Sequence, residues 1–194
     1  IACGLVFLLA WKNGEIKPNR IILSGVAINA TFGSIISLLT IIYSDRIQSA
    51  LLWLNGSLAQ KTWNDFKLLG FYIMLGLILS LFCIRPANIL ALGEKTALSL
   101  GFNVTHLRLF ISIIGVFLAG VCTAILGIIG FVGLIIPHIA RIIIGDDYKY
   151  CLPLSIALGG IVVLVADTIA RTKGGSVELP VGIVMSLLGG PFFL

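Results

Sequence analysis

The sequence predicts an all-α fold, a polytopic bundle of transmembrane helices, and three observations predict it. Of the 194 residues 59% are hydrophobic and 11% charged, with a mean hydropathy of +1.14, whereas soluble domains ordinarily carry about 25% charged residues. The apolar residues run continuously rather than alternating, which selects spanning helices over the strands of a closed barrel, the two structures that leave no backbone group unpaired in lipid. The 13 Lys and Arg stand singly between those runs. The formal charge of +5 therefore reads as loop and interface charge, and no basic block points to nucleic acid.

A helix needs about 20 apolar residues to cross about 30 Å of hydrocarbon. That ruler gives six or seven crossings: the tail of one from Ile1 to Trp11, then Ile21 to Tyr43, Phe66 to Ile84, Leu109 to Ile129, Phe131 to Ile144 and Leu152 to Ala170, and the start of a last one from Val181 to Leu194. The fifth is short, and Gly127, Gly130, Gly133 and Pro137 predict that it is kinked or half-buried, since neighbouring helices must satisfy its freed backbone groups. Both ends of the chain fall inside apolar runs, so it reads as a fragment of a longer protein, a single membrane domain over residues 1–194. Cys3, Cys83, Cys122 and Cys151 sit in or beside apolar runs without a CxxC and read as packing residues. Gly159, Gly160, Gly189 and Gly190, with Gly127, Gly130 and Gly133, suggest close helix contacts through small residues.

Positive charge in alternate connections sets the orientation. Lys12, Lys17, Arg20, Arg85, Lys95, Arg108, Arg141 and Lys149 fall on one side, and Arg46, Lys61, Lys67, Arg171 and Lys173 on the other, eight against five. The first side is expected to be cytoplasmic. Its longest connection, RPANILALGEKTALSLGFNVTHLR over residues 85–108, is too polar to span and too rich in Ala, Leu, Glu and Lys for coil, so short helices are expected there. Ile89, Leu90, Leu92, Ala97, Leu98 and Leu100 would give them an apolar side, turned to a partner or to lipid headgroups.

Four ordered stretches carry a resemblance: RPANILALGEKTALSLG (85–101), GIIGFVGLIIPHIAR (127–141), LVADTIAR (164–171) and ELPVGIVMSLLGGPFF (178–193). In these the chain resembles the permease subunits of type II ABC importers for ferric siderophores, haem and vitamin B12. The resemblance implies the second half of a ten-helix subunit in the cytoplasmic membrane. Its implied partners are a second permease, identical or paralogous, two cytoplasmic ATP-binding subunits, and an extracytoplasmic substrate-binding protein. It further implies that residues 85–108 form coupling helices seated in a groove of the ATPase, with Leu92, Gly93, Glu94, Ala97, Leu100 and Gly101 as contact candidates. A stiff knob passes on a rigid-body displacement that a flexible loop would dissipate.

Arg171 lies on the side expected to be poor in positive charge, and the resemblance makes it the residue that docks a carboxylate of the binding protein. The alternative is an arginine snorkelling at a helix end and paired with Asp167 at i, i+4. Asp167 is the one acid well inside a predicted span, but its place a turn from Arg171 favours a structural ion pair over a proton relay. His138 reads as structural, because no carboxylate or cysteine stands at ligand spacing and His106 is the only other histidine. Gly93-Glu94-Lys95-Thr96 lacks the order of a phosphate-binding loop, and the N-x-[ST] triplets at Asn29, Asn55 and Asn103 are too short to carry weight. Trp53 to Trp63 reads as an interfacial aromatic belt.

The expected function is import of a ferric siderophore or related metal chelate by alternating access, driven by ATP hydrolysed in partner subunits, with no catalytic residue, metal site or cofactor in this chain. By the resemblance the pathway is lined by the helix from Ile21 to Tyr43, with Ser24, Asn29, Thr31 and Ser34, and by the Val181–Leu194 helix. An ion-gradient-coupled secondary transporter would need a carboxylate deep at midplane; an intramembrane enzyme would need a nucleophile with a base, and only Asp167 and His138 are at hand. Which chelate is carried is not written in scattered small and aromatic side chains.

Overall fold

A computed structural model of the chain describes residues 2–12, 15–16, 18–43, 53–59, 61–173 and 179–192. It divides into two compact units, Ile1–Ser49 and Ala50–Leu194. In the first, α1 (Ala2–Ala10) packs on α2 (Pro18–Ile42). Between them a two-residue antiparallel pair, β1 (Trp11–Lys12) and β2 (Glu15–Ile16), sets Trp11 opposite Ile16, a small addition to the expected all-helical pattern. Pro18 fits the first turn of α2, where its missing N–H costs no bond.

In the second unit the described residues form the helices α3 (Trp63–Phe82), α4 (Ile84–Ala91), α5 (Glu94–Ser99), α6 (Val104–Leu126), α7 (Val132–Ile144), α8 (Tyr148–Lys173) and α9 (Val181–Phe192). Three of these helices start earlier than hydropathy alone predicts, and caps or flanking polar residues account for it. Thr62 and Asp65 form a reciprocal capping box that opens α3 at Trp63. The Asn103 side chain accepts the His106 N–H at 3.2 Å and opens α6 at Val104, which gives that asparagine a structural task. Asp147 precedes α8, its carboxylate accepting the Lys149 N–H at 2.9 Å.

Four described helices are long and apolar enough to cross a membrane: Asn19–Ile42, Trp63–Phe82, Val104–Leu126 and Tyr148–Thr172; Val132–Ile144 and Val181–Phe192 are apolar but shorter. Among the described residues α3 packs on α6, α7 on α8, and α9 on α8 and α7. The buried cluster sits where α8 meets α9, with Ala166, Ala170, Val181, Val184 and Met185 at its centre and Leu58, Ile129, Val132 and Val162 around it. Most large apolar side chains on the long helices are exposed in this chain. That is the expected surface of a body whose solvent is lipid, in which burial of apolar groups from water contributes little between helices.

Backbone approaches backbone closely at one place. The Ser57 N–H bonds the Leu126 carbonyl at 2.9 Å, and the Gly182 N–H the Gly56 carbonyl at 3.2 Å. A Cβ on Gly127 would meet the Trp53 carbonyl, one on Gly182 the Asn55 carbonyl, and one on Gly56 the Ile128 carbonyl. These glycines lock the 53–59 segment onto the α6–α7 connection and the start of α9. Of the other glycines, Gly189 packs tightly against the Phe131 ring as expected; the expectation is corrected for Gly159, which makes only an ordinary contact with Ile136, and for Gly130, Gly133, Gly160 and Gly190, which among the described residues have no neighbour within 4 Å of a Cβ position.

Candidate functional site

The 84–102 region is a built object rather than a loop. Cys83 ends α3 and begins α4 with helical backbone angles (φ −78°, ψ −14°), so α4 continues from the membrane helix with no intervening coil. Pro86 falls in the first turn of α4, where the N–H it lacks would have had no helical partner. Gly93 then turns the chain at φ +97°, a value closed to other residues without strain, and α5 follows at once. Its end is a Schellman motif: Gly101 N–H to the Leu98 carbonyl at 2.9 Å and Phe102 N–H to the Ala97 carbonyl at 3.1 Å.

The sequence-expected contact residues separate into two kinds on this frame. Leu92 and Leu100 are more than half exposed, as is Leu98, and Gly93, Glu94 and Gly101 are exposed beside them. Ala97 is fully buried; it braces the element from beneath and offers no surface. Glu94 is tied to α6 by an ion pair with Arg108 at 3.1 Å.

Asn88, which hydropathy does not mark, bridges to α8. Its Nδ2 donates to Asp147 Oδ1 at 2.8 Å, and its Oδ1 accepts the Tyr148 N–H at 2.9 Å. Arg141 adds α7 to the same corner, its Nη2 donating to Tyr148 Oη at 2.9 Å and its guanidinium lying 5.5 Å from the ring centroid. The Lys149 backbone N–H, then the Asn88 amide, hold the Asp147 carboxyl below its ordinary value, with the Lys149 charge adding to the effect against a small opposing desolvation. A lowered pKa makes this contribution complete above the ordinary carboxylate range and lost only as pH falls through the lowered value. At neutral pH the joint is therefore ionised and intact.

At the other end of α8 the Arg171 Nε donates to Asp167 Oδ2 at 2.8 Å. Arg171 is 61% exposed and Asp167 21%, so the pair leaves most of the guanidinium open. Beside it lies a recess of about 20 Å³, room for one water, lined by Ser57, Ala59, Ala170, Leu179 and Val181. His138 sets its ring edge-on to Phe192 at 6.1 Å. On α2, Ser24 is half-buried while Asn29, Thr31 and Ser34 are exposed. The Thr31 and Ser34 hydroxyls donate to the carbonyls of Ala27 and Ala30, each at 2.9 Å, the usual way a hydroxyl is satisfied on a helix in lipid.

Fold, hydropathy and the placement of polar groups at helix ends define a polytopic helical membrane protein. Residues 1–194 match the FecCD transport family model throughout, and the chain belongs to that family. Among its relatives are the hemin transport system permease protein HmuU of Yersinia pestis (39% identical over 98% of this chain and 57% of that protein), the Fe(3+)-citrate import system permease protein YfmE of Bacillus subtilis (35%, 98% and 57%), and the cobalamin import system permease protein BtuC of Halobacterium salinarum (35%, 100% and 52%). A solved structure described as a metal-chelate type ABC transporter in an inward-facing conformation superposes with a TM-score of 0.86 at 33% identity, over 98% of this chain and 61% of that one. The chain thus spans rather more than half the length of the relatives it matches.

Proposed function

We propose that this chain is part of the permease subunit of an ABC importer for a metal chelate, and that residues 85–108 are its coupling element, facing the cytoplasm and seated in a partner ATPase. The observation that carries this reading is the construction of that element. A short helix continuous with a membrane helix, a glycine turn, a second short helix and a closed C-terminal cap present Leu92, Leu98 and Leu100 outward on a frame pinned by Asn88 and Glu94. Exposed leucines on a non-spanning segment are costly in water and are explained by a protein partner. Gly93 and Gly101 shape the turns, Glu94 fixes the element to α6, and Ala97 supports it from within.

The chemistry is displacement, not bond making. ATP bound and hydrolysed in two partner subunits would push on the leucine knob, and the helices continuous with it would tilt against a second permease. A binding protein would dock at Arg171, whose exposed N–H groups suit a carboxylate, and α2 with Ser24, Asn29, Thr31 and Ser34 would line the path of the cargo. Relatives named for hemin, citrate-bound iron and cobalamin leave the cargo class a large metal chelate; a ferric siderophore is the favoured member.

The test replaces residues 92–101 of the full-length protein with a Gly/Ser linker and follows uptake of labelled ferric hydroxamate, ferric catecholate, haem and cobalamin. The expected result is loss of uptake of one of the four, with the unaltered protein insensitive to collapse of the proton gradient. Undiminished uptake through the linker variant contradicts the coupling role.

A further inference from the structure

From the 84–101 element the polar groups lead into the bundle through Asn88. Asn88 uses both ends of its amide on one target. Its oxygen takes the N–H of Tyr148 and its nitrogen binds the Asp147 carboxylate, so the first N–H of α8 and the residue that caps α8 are both held by α4. Helix starts leave such N–H groups without an intrahelical partner. Two bonds from one planar amide also fix orientation as well as distance, which a single ion pair does not.

The other fixed point of the element is weaker. Glu94 meets Arg108 through one 3.1 Å contact and is 57% exposed, the kind of surface pair that contributes little. Among the described residues α4 packs on α6 and on α8, and only toward α8 does it add this bidentate joint. From Tyr148, α8 extends to Lys173 as one helix with Pro153 in its second turn, about 39 Å at 1.5 Å per residue and longer than the hydrocarbon is thick. Near its far end it carries the Asp167–Arg171 pair.

We infer that Asn88 is a positioning residue that clamps the coupling element to α8, and that α8, one helix carrying Pro153 in its second turn, joins the ATPase-facing element to the exposed Arg171. The inference rests on the proposed function. It adds that docking at Arg171 and nucleotide turnover communicate through one helix and one joint. A push on α4 is delivered to the backbone of α8 rather than to a side chain that could rotate away. Engagement of Arg171 is passed back through the same helix and joint.

The test uses the assembled full-length complex in lipid, with its ATPase subunits and its binding protein, and reads the ratio of ATP hydrolysis with binding protein to hydrolysis without it. Asn88→Asp sets two carboxylates face to face at the joint. The exchange Asn88→Asp with Asp147→Asn returns one amide and one carboxylate to the joint and so can restore the two α4–α8 bonds. In it the carboxylate now at position 88 could accept the Tyr148 N–H and, once the amide now at position 147 turns its nitrogen toward position 88, that amide too, with loss of the Lys149 N–H bond that the same Asp147 oxygen holds. Asn88→Asp and Asn88→Ala are expected to lower the ratio about five-fold or more, with the ATPase subunit still co-purifying, and the exchange to return it toward the wild-type ratio. A wild-type ratio in Asn88→Ala overturns the inference, and so does an assembled exchange variant that stays as low as Asn88→Ala. If the single variants do not assemble, the exchange variant alone decides. A wild-type complex that recruits no ATPase, or shows no response to the binding protein, sinks the transport reading and this inference with it.

Discussion

The second unit is fastened in two different ways at two places. Around the 53–59 segment the fastening is backbone on backbone: Ser57 to Leu126, Gly182 to Gly56, and glycines packed where no Cβ fits. Around α4 and α5 it is side chain on helix end, through Asn88, Asp147, Arg141 and the Glu94–Arg108 pair, with open space beside Gly93 and Gly101. A backbone lock has no rotamers and cannot yield without breaking hydrogen bonds. Side-chain joints can transmit, release and re-form. Under the proposed function, motion would enter at the 84–101 element while the 53–59 collar holds the α6–α7 connection and α9 in register.

Two substitutions test that contrast, the larger effect first. Gly127→Ala must accommodate a Cβ against the Trp53 carbonyl while keeping φ +78°. Strain at a glycine-only backbone angle and overpacking add to about 3 kcal/mol or more, to be seen as a large fall in the thermal denaturation temperature of the purified protein in detergent. A loss well under 1 kcal/mol would mean that the collar is not a lock. Glu94→Gln removes one exposed ion pair and keeps the fold, so its cost in the same assay is under about 1 kcal/mol. A loss as great as that of Gly127→Ala would erase the distinction between the two regions.

Much of the frame was legible because bilayer thickness is a ruler. The α7 segment, the α9 start and the Asp167–Arg171 pair follow from run length and i, i+4 spacing. Helix starts were missed by three to five residues at Trp63, Val104 and Tyr148, where hydropathy is silent; the signals were Thr62 with Asp65, Asn103 and Asp147. Gly127 and, of the doublets, Gly189 are legible as close-packing glycines, whereas Gly56 and Gly182 are single glycines whose neighbours lie far along the chain. Asn88 was invisible for the same reason, since its partner stands 59 residues away. Ala97 looked like part of the contact surface, and only packing shows that it is a brace.

The central claim is that Leu92 and Leu100 face a motor subunit. It is tested by single cysteines at 92, 97 and 100 in full-length protein whose Cys3, Cys83, Cys122 and Cys151 have been replaced, followed by cross-linking within the assembled complex. The account predicts links from positions 92 and 100 to the ATPase subunit and none from the buried position 97. Labelling of positions 92 and 100 by a membrane-impermeant thiol reagent added outside intact cells would contradict it.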